Sequence, residues 1–245
     1  MKKVLISIVF LISINVFADI NSEIKNLKQL KVDNEFIEGY KKAVNEFSST
    51  KKLSDKYMTE YLNIGMIYLK NSKYDEAIEL YNRILKSNLK NVSTNYWAYY
   101  GISSAYFYKK DFKNSFEYGK KAIEMDIKQK KELPFIPKDE MEDYRRRNLA
   151  ERTFLSGYSQ EKYEEILNIF LEIIKDENYK NVISKDEVII KILVSATMQI
   201  RKKDEKLSDK YLKELEKLKI FMNNNLKEKD CIIAQGNWGY VYTLV

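Results

Sequence analysis

Acid–base, nucleophilic and metal chemistry would each need residue types that this chain largely lacks. It has no histidine among its 245 residues, which removes Ser-His-Asp and Cys-His catalysis and imidazole metal sites. Cys231 is the only cysteine, so neither an intrachain disulfide nor a thiolate metal cluster can form. An inert buried thiol, or pairing between molecules, is what it leaves. The seven glycines are scattered, and none falls into a phosphate-cradling G-x-G-x-x-G or G-x4-G-K-S/T loop. Aspartate and glutamate are plentiful, but they sit in periodic, solvated patterns and form no recognisable catalytic pair. No catalytic residue, metal or cofactor is therefore expected. Arg145-Arg146-Arg147 is the one dense basic cluster. Three consecutive helical residues point in different directions, so a solvated surface run is the reading it supports. The formal charge is +7, yet Lys and Glu are interspersed and no basic face stands apart, which argues against a nucleic-acid partner.

Recognition by apolar and aromatic side chains remains, and helices must present them. Two prolines and seven glycines are too few for an all-β or linker-rich chain. The segment Met58 to Asn91 reads as two amphipathic helical patterns joined by a tight turn. Tyr61, Ile64, Gly65 and Tyr68 share one face of the first; Tyr74, Ala77, Ile78, Tyr81 and Leu85 share one face of the second. Two short helices cannot each bury a face alone, so stacked neighbours are implied. Tyr61, Ile64, Gly65, Tyr68, Ala77 and Tyr81 follow the pattern W-x2-L-G-x2-Y…A-x3-F, and the segment resembles a tetratricopeptide repeat. Only the closing proline is absent, with Leu89 in its place. Tyr99, Ile102 and Tyr106 repeat the spacing 38 residues later, with Ser103 in the small-residue place of Gly65 and Ser115 in that of Ala77. Gly119 stands where an aromatic is expected, which weakens this second match.

The resemblance implies an all-α fold of antiparallel helix hairpins stacked as a right-handed superhelix, an α-solenoid, with the first helix of each unit lining a concave groove. On the first helix of the clear unit that inner face holds Thr59, Leu62, Met66, Leu69 and Lys70; on the next it holds Trp97, Tyr100, Ser104, Phe107 and Tyr108. Leu62, Met66, Leu69, Trp97, Tyr100, Ser104, Phe107 and Tyr108 are the candidate protein-binding residues, since methionine and aromatics make adaptable, large-area contacts. The same wall could instead be filled by a neighbouring helix of the chain. Leu62 and Met66 occupy places where one branch of the family grips a carboxylate with polar residues, so that specificity is not expected.

The rest of the chain divides around these repeats. Residues 19–57 read as N-terminal helices of a degenerate repeat, with Phe36, Tyr40, Ala43 and Phe47 on one face, and 58–127 as the two repeats. Residues 128–138 contain Pro134 and Pro137 and read as a linker. Residues 139–230 read as two further hairpins. Asp139 with Glu142 and Ser184 with Glu187 have capping-box spacing, Tyr163, Ile166, Leu167, Phe170 and Ile174 form a stripe, and the last helix spans Leu207 to Leu226. About eight helices in four hairpins are expected. The pentamers Leu53 to Tyr57 and Leu207 to Tyr211 are identical and read as helix starts capped by Ser54 and Ser208. Residues 231–245 carry no charged side chain and read as a non-helical apolar tail, covering the last helix pair or docking a partner.

At the N-terminus, Lys2-Lys3, the mostly apolar run Val4 to Phe17 and the small residues Val16 and Ala18 read as a signal peptide over 1–18, cleaved before Asp19. The run is shorter than the roughly 20 residues of a membrane span. The expectation is thus an exported protein, periplasmic or extracellular, without a transmembrane span in its mature chain. It acts as a non-catalytic scaffold for a protein or peptide. The alternative is a self-associating assembly subunit of an envelope complex.

Overall fold

The computed structural model describes residues 21–50, 55–86, 92–132 and 140–225, and no strand occurs among them. Among the described residues eleven helices follow one another: α1 (residues 21–29), α2 (Asn34–Thr50), α3 (Asp55–Lys70), α4 (Tyr74–Lys86), α5 (Val92–Tyr108), α6 (Phe112–Glu132), α7 (Glu140–Ser159), α8 (Tyr163–Ile173), α9 (Glu177–Lys185), α10 (Glu187–Arg201) and α11 (Glu205–Asn225). The all-α helical-hairpin repeat is what the chain adopts. The signal-peptide reading, Ser54, Asp139, both prolines and the apolar tail lie outside the described residues. The chain divides into two compact units, Met1–Gly101 and Ile102–Val245, the division falling within α5.

One turn is used four times. Helices α1, α3, α5 and α7 each end on a non-glycine residue in the left-handed region: Lys31 (φ 56°), Ser72 (φ 58°), Lys110 (φ 62°) and Glu161 (φ 56°). In each, the next amide donates back across the turn: Val32 to Leu27, Lys73 to Tyr68, Asp111 to Tyr106 and Lys162 to Gly157, at 2.9–3.1 Å. The left-handed residue's own amide donates three residues back, to Lys28, Leu69, Phe107 and Tyr158. These paired bonds satisfy carbonyls that a helix end otherwise leaves open. The following helix starts at once, so each pair is a tight antiparallel hairpin. The α10–α11 connection is built differently, with Lys202 still right-handed.

In the first unit, Tyr61, Ile64, Gly65 and Tyr68 on α3 and Ala77, Ile78 and Tyr81 on α4 are buried as the spacing predicts; Leu80 and Ile84 join them, while Tyr74 and Leu85 are half-buried. On α2 the buried set is Ile37, Tyr40, Ala43 and Val44, and Phe36 faces solvent at 45 % exposure, a rotation of the expected face. The second unit departs further. Helix α6 runs to Glu132, five residues into the expected linker. Residues 140–225 form five helices rather than two hairpins, because α9 is inserted between α8 and α10 and packs on α7 and α11. Ser184 is not a helix start: it lies inside α9, its hydroxyl donating to the Asn181 carbonyl, and Asp186 caps α10 through the Ile189 amide at 2.8 Å. Ser208 likewise lies inside α11, and Asp204 accepts from the Leu207 amide at 2.9 Å.

Candidate functional site

The hairpins place small residues where helices cross, and these decide which side chains remain open. The Tyr81 ring lies between Gly65 of α3 and Gly101 of α5: a Cβ at either position would come within 2.4 Å or 2.2 Å of it. One aromatic of α4 therefore abuts two first-of-pair helices at points where only glycine fits. Burial raises the Tyr81 phenol above its ordinary range, with Tyr100 adding to the effect. In the second unit serine does the corresponding work. Ser103 donates to the Ser115 carbonyl and Ser156 of α7 to the Ser115 hydroxyl, both at 2.9 Å, all three side chains buried. Gly119, unexpected in the repeat pattern, leaves room for Thr153, whose hydroxyl would lie 2.3 Å from an added Cβ.

With that packing set, the eight candidate wall residues separate. In the first unit Leu62, Met66 and Leu69 of α3 and Trp97 of α5 are half-buried, so part of each meets solvent. Tyr100 is 8 % exposed and belongs to the packing, its ring edge-on to Trp97 at 5.9 Å. Trp97 is also edge-on to Tyr96 at 5.3 Å, which holds the indole in place. In the second unit Ser104 is buried and accepts from Arg152 Nη1 at 2.5 Å, so it offers no open surface. Phe107 is half-buried, edge-on to Phe112 at 5.8 Å, and Tyr108 is 55 % exposed.

Within the arginine triplet Arg146 departs from the expected solvated run, while Arg147 is exposed. Arg146 is 4 % exposed and donates through Nε to buried Asp126 of α6 at 2.9 Å and through Nη1 to Glu142 at 3.2 Å. Arg147 donates to Asp186, whose other oxygen caps α10, so one buried carboxylate ties α7 to the start of α10. Beside them Glu151 has its carboxyl pushed up, first by burial and then by Asp186, with Arg147 and Arg152 opposing. The register was readable: Arg146 lies four residues after Glu142 and three before Leu149, on the stripe continued by Thr153 and Phe154.

These groups are committed to one another, and their geometry is that of helix ties rather than of a reacting centre. Among the described residues no three Cys, Asp or Glu side chains gather where they could hold a metal ion. No described helix is long and apolar enough to cross a membrane.

Comparison with curated proteins and with solved structures finds no match. Comparison with protein families finds two: residues 59–91 and residues 98–126 each match the tetratricopeptide repeat. The first covers the α3–α4 hairpin and the second the hairpin of α5 and α6, which share the turn and the small-residue crossings described above. The chain thus carries two consecutive tetratricopeptide repeats.

Proposed function

We propose that the chain is a non-catalytic interaction scaffold of the bacterial cell envelope that holds a protein or peptide against the first helices of its repeats. The observation that carries this reading is in the first unit. Leu62, Met66, Leu69 and Trp97 stay partly exposed on α3 and α5, helices whose opposite faces are already filled around Tyr81. Partly exposed methionine and tryptophan beside rigid aromatics are the side chains that interface cores favour. Export rests on the N-terminal sequence pattern alone. The aromatic face would serve a second copy of the chain equally well, and self-association is the competing reading.

The test is crosslinking and pull-down from the native envelope with wild type, Trp97→Ala and Met66→Ser, each also melted. Trp97→Ala is expected to abolish capture while melting falls less than the 3–5 kcal/mol of a fully buried tryptophan would require. Capture unchanged in both variants removes the face from the reading. A mass that grows with concentration in light scattering favours self-association.

A further inference from the structure

We propose that the second unit carries a separate docking site, formed by the end of α8, by α9 and by α11, for an acidic peptide segment of a partner anchored by an apolar side chain. A pocket of ≈ 440 Å³ lies there, with Leu171, Ile174 and Leu218 as its apolar lining and Lys175, Lys180, Lys210 and Lys217 around it. That volume falls in the range of roughly 300–1,000 Å³ typical of binding clefts. Its single acid, Glu214, is already paired with Lys217 at 2.5 Å. Lys175 and Lys210 make no ion pair among the described residues, and both are exposed. Lys120 and Lys162, by contrast, are matched by Glu117 and Glu165, and Lys191 by Glu187.

The imbalance has a local cause. The α8–α9 connection is only Ile174, Lys175 and Asp176, and Asp176 is turned onto the start of α9, accepting from the Asn178 and Tyr179 amides. It makes no ion pair with Lys175. The result is unmatched positive charge beside an apolar floor. Carboxylates complement the first and an aliphatic or aromatic side chain the second. A bare polyanion would leave the floor wet. The chain's own residues 231–245 have no acidic side chain, so laying that segment here would desolvate the lysines without a carboxylate side chain to pair them. This site does not depend on the α3–α5 face, and Trp97→Ala is expected to leave it intact.

The experiment is fluorescence anisotropy on the full chain with a labelled peptide alternating glutamate and leucine. Companion peptides carry serine for leucine or lysine for glutamate, and the double variant Lys175→Glu/Lys210→Glu and the single variant Leu171→Ser are run beside wild type. The glutamate–leucine peptide is expected to bind, to weaken as salt rises, and to lose roughly tenfold in affinity in the double variant. The serine and lysine peptides and the Leu171→Ser protein are expected to bind more weakly still, with melting unchanged because the altered residues are exposed or half-exposed. Equal binding of the serine peptide overturns the anchored-peptide assignment, as does affinity that neither variant moves. Binding to phosphatidylglycerol vesicles that the double variant loses, with no peptide binding, assigns the face to an anionic membrane surface and also overturns it.

Discussion

At single positions, close approach decides what is tolerated. Gly101 has the least room in the first unit, since a Cβ there would sit 2.2 Å from the Tyr81 ring. Tyr81 cannot yield, because Gly65 closes its other face. Gly101→Ala is therefore expected to lower stability by about 1–3 kcal/mol despite its gain in helix propensity, as denaturant titration would show. Glu151 gives a pH-dependent counterpart. Its folded carboxyl titrates above its unfolded one, so its contribution is fully present below the unfolded pKa and is lost as pH rises through the folded pKa. At neutral pH the ionised group is a liability beside Asp186. Glu151→Gln is expected to raise the melting temperature at pH 7, and the difference should shrink as pH falls below the ordinary carboxylate range of about 4.3. A gain that is the same at pH 3 and pH 7 would assign the effect to packing instead.

Among the elements, the repeated turn is the best-defined feature, and it is under strain that glycine would relieve. Lys31, Ser72, Lys110 and Glu161 all hold positive φ without being glycine. Replacing any one by glycine is expected to stabilise the chain by roughly 0.5–1 kcal/mol, less than the full left-handed penalty because the unfolded chain gains freedom too. Lys110→Val is expected to act in the opposite direction, since a β-branched side chain suits that backbone least. Thermal melts of the glycine series and of Lys110→Val test the assignment of all four turns together. Helix α9 is held by a different device. Its start is capped by Asp176 and its end meets Asp186, which caps α10 and pairs with Arg147. Aspartate at both junctions is what allows a nine-residue helix to be wedged between longer ones.

For the molecule as a whole, the scaffold reading has consequences beyond any one helix. If the chain is exported, material from its native host should begin at Asp19, and mass spectrometry of that material checks it. An intact Met1 in the soluble fraction would withdraw the envelope assignment and leave the interaction reading standing. Each compact unit brings its own surface to such a role: a half-open apolar face on α3 and α5 in one, and a lysine-ringed pocket by α9 in the other. Repeat proteins bind by surface rather than by a reacting centre, which suits a chain without histidine.

The sequence by itself determined the hairpin of α3 and α4, residue by residue, and less sharply that of α5 and α6. Tyr61, Ile64, Gly65, Tyr68, Ala77 and Tyr81 are local signals: helical periodicity fixes which side chains share a face, and small residues mark where helices cross. Periodicity does not say what covers a face. Tyr100 and Ser104 share a stripe with Trp97 and Phe107, yet Tyr100 is packed against the aromatics of its own helix and Ser104 lies under Arg152, which a helix distant in sequence brings there. Arg146 reads as surface charge until Asp126, 20 residues earlier, is brought within 2.9 Å of it in a buried site. Ser184 and Asp186 offer rival local caps two residues apart; Asp186 serves as the cap, and Arg147, 39 residues earlier, pairs with the same carboxylate. Local energies choose the helices of this chain. Its open surfaces and its buried charges were decided by contacts between helices, whose partners no window of the sequence contains.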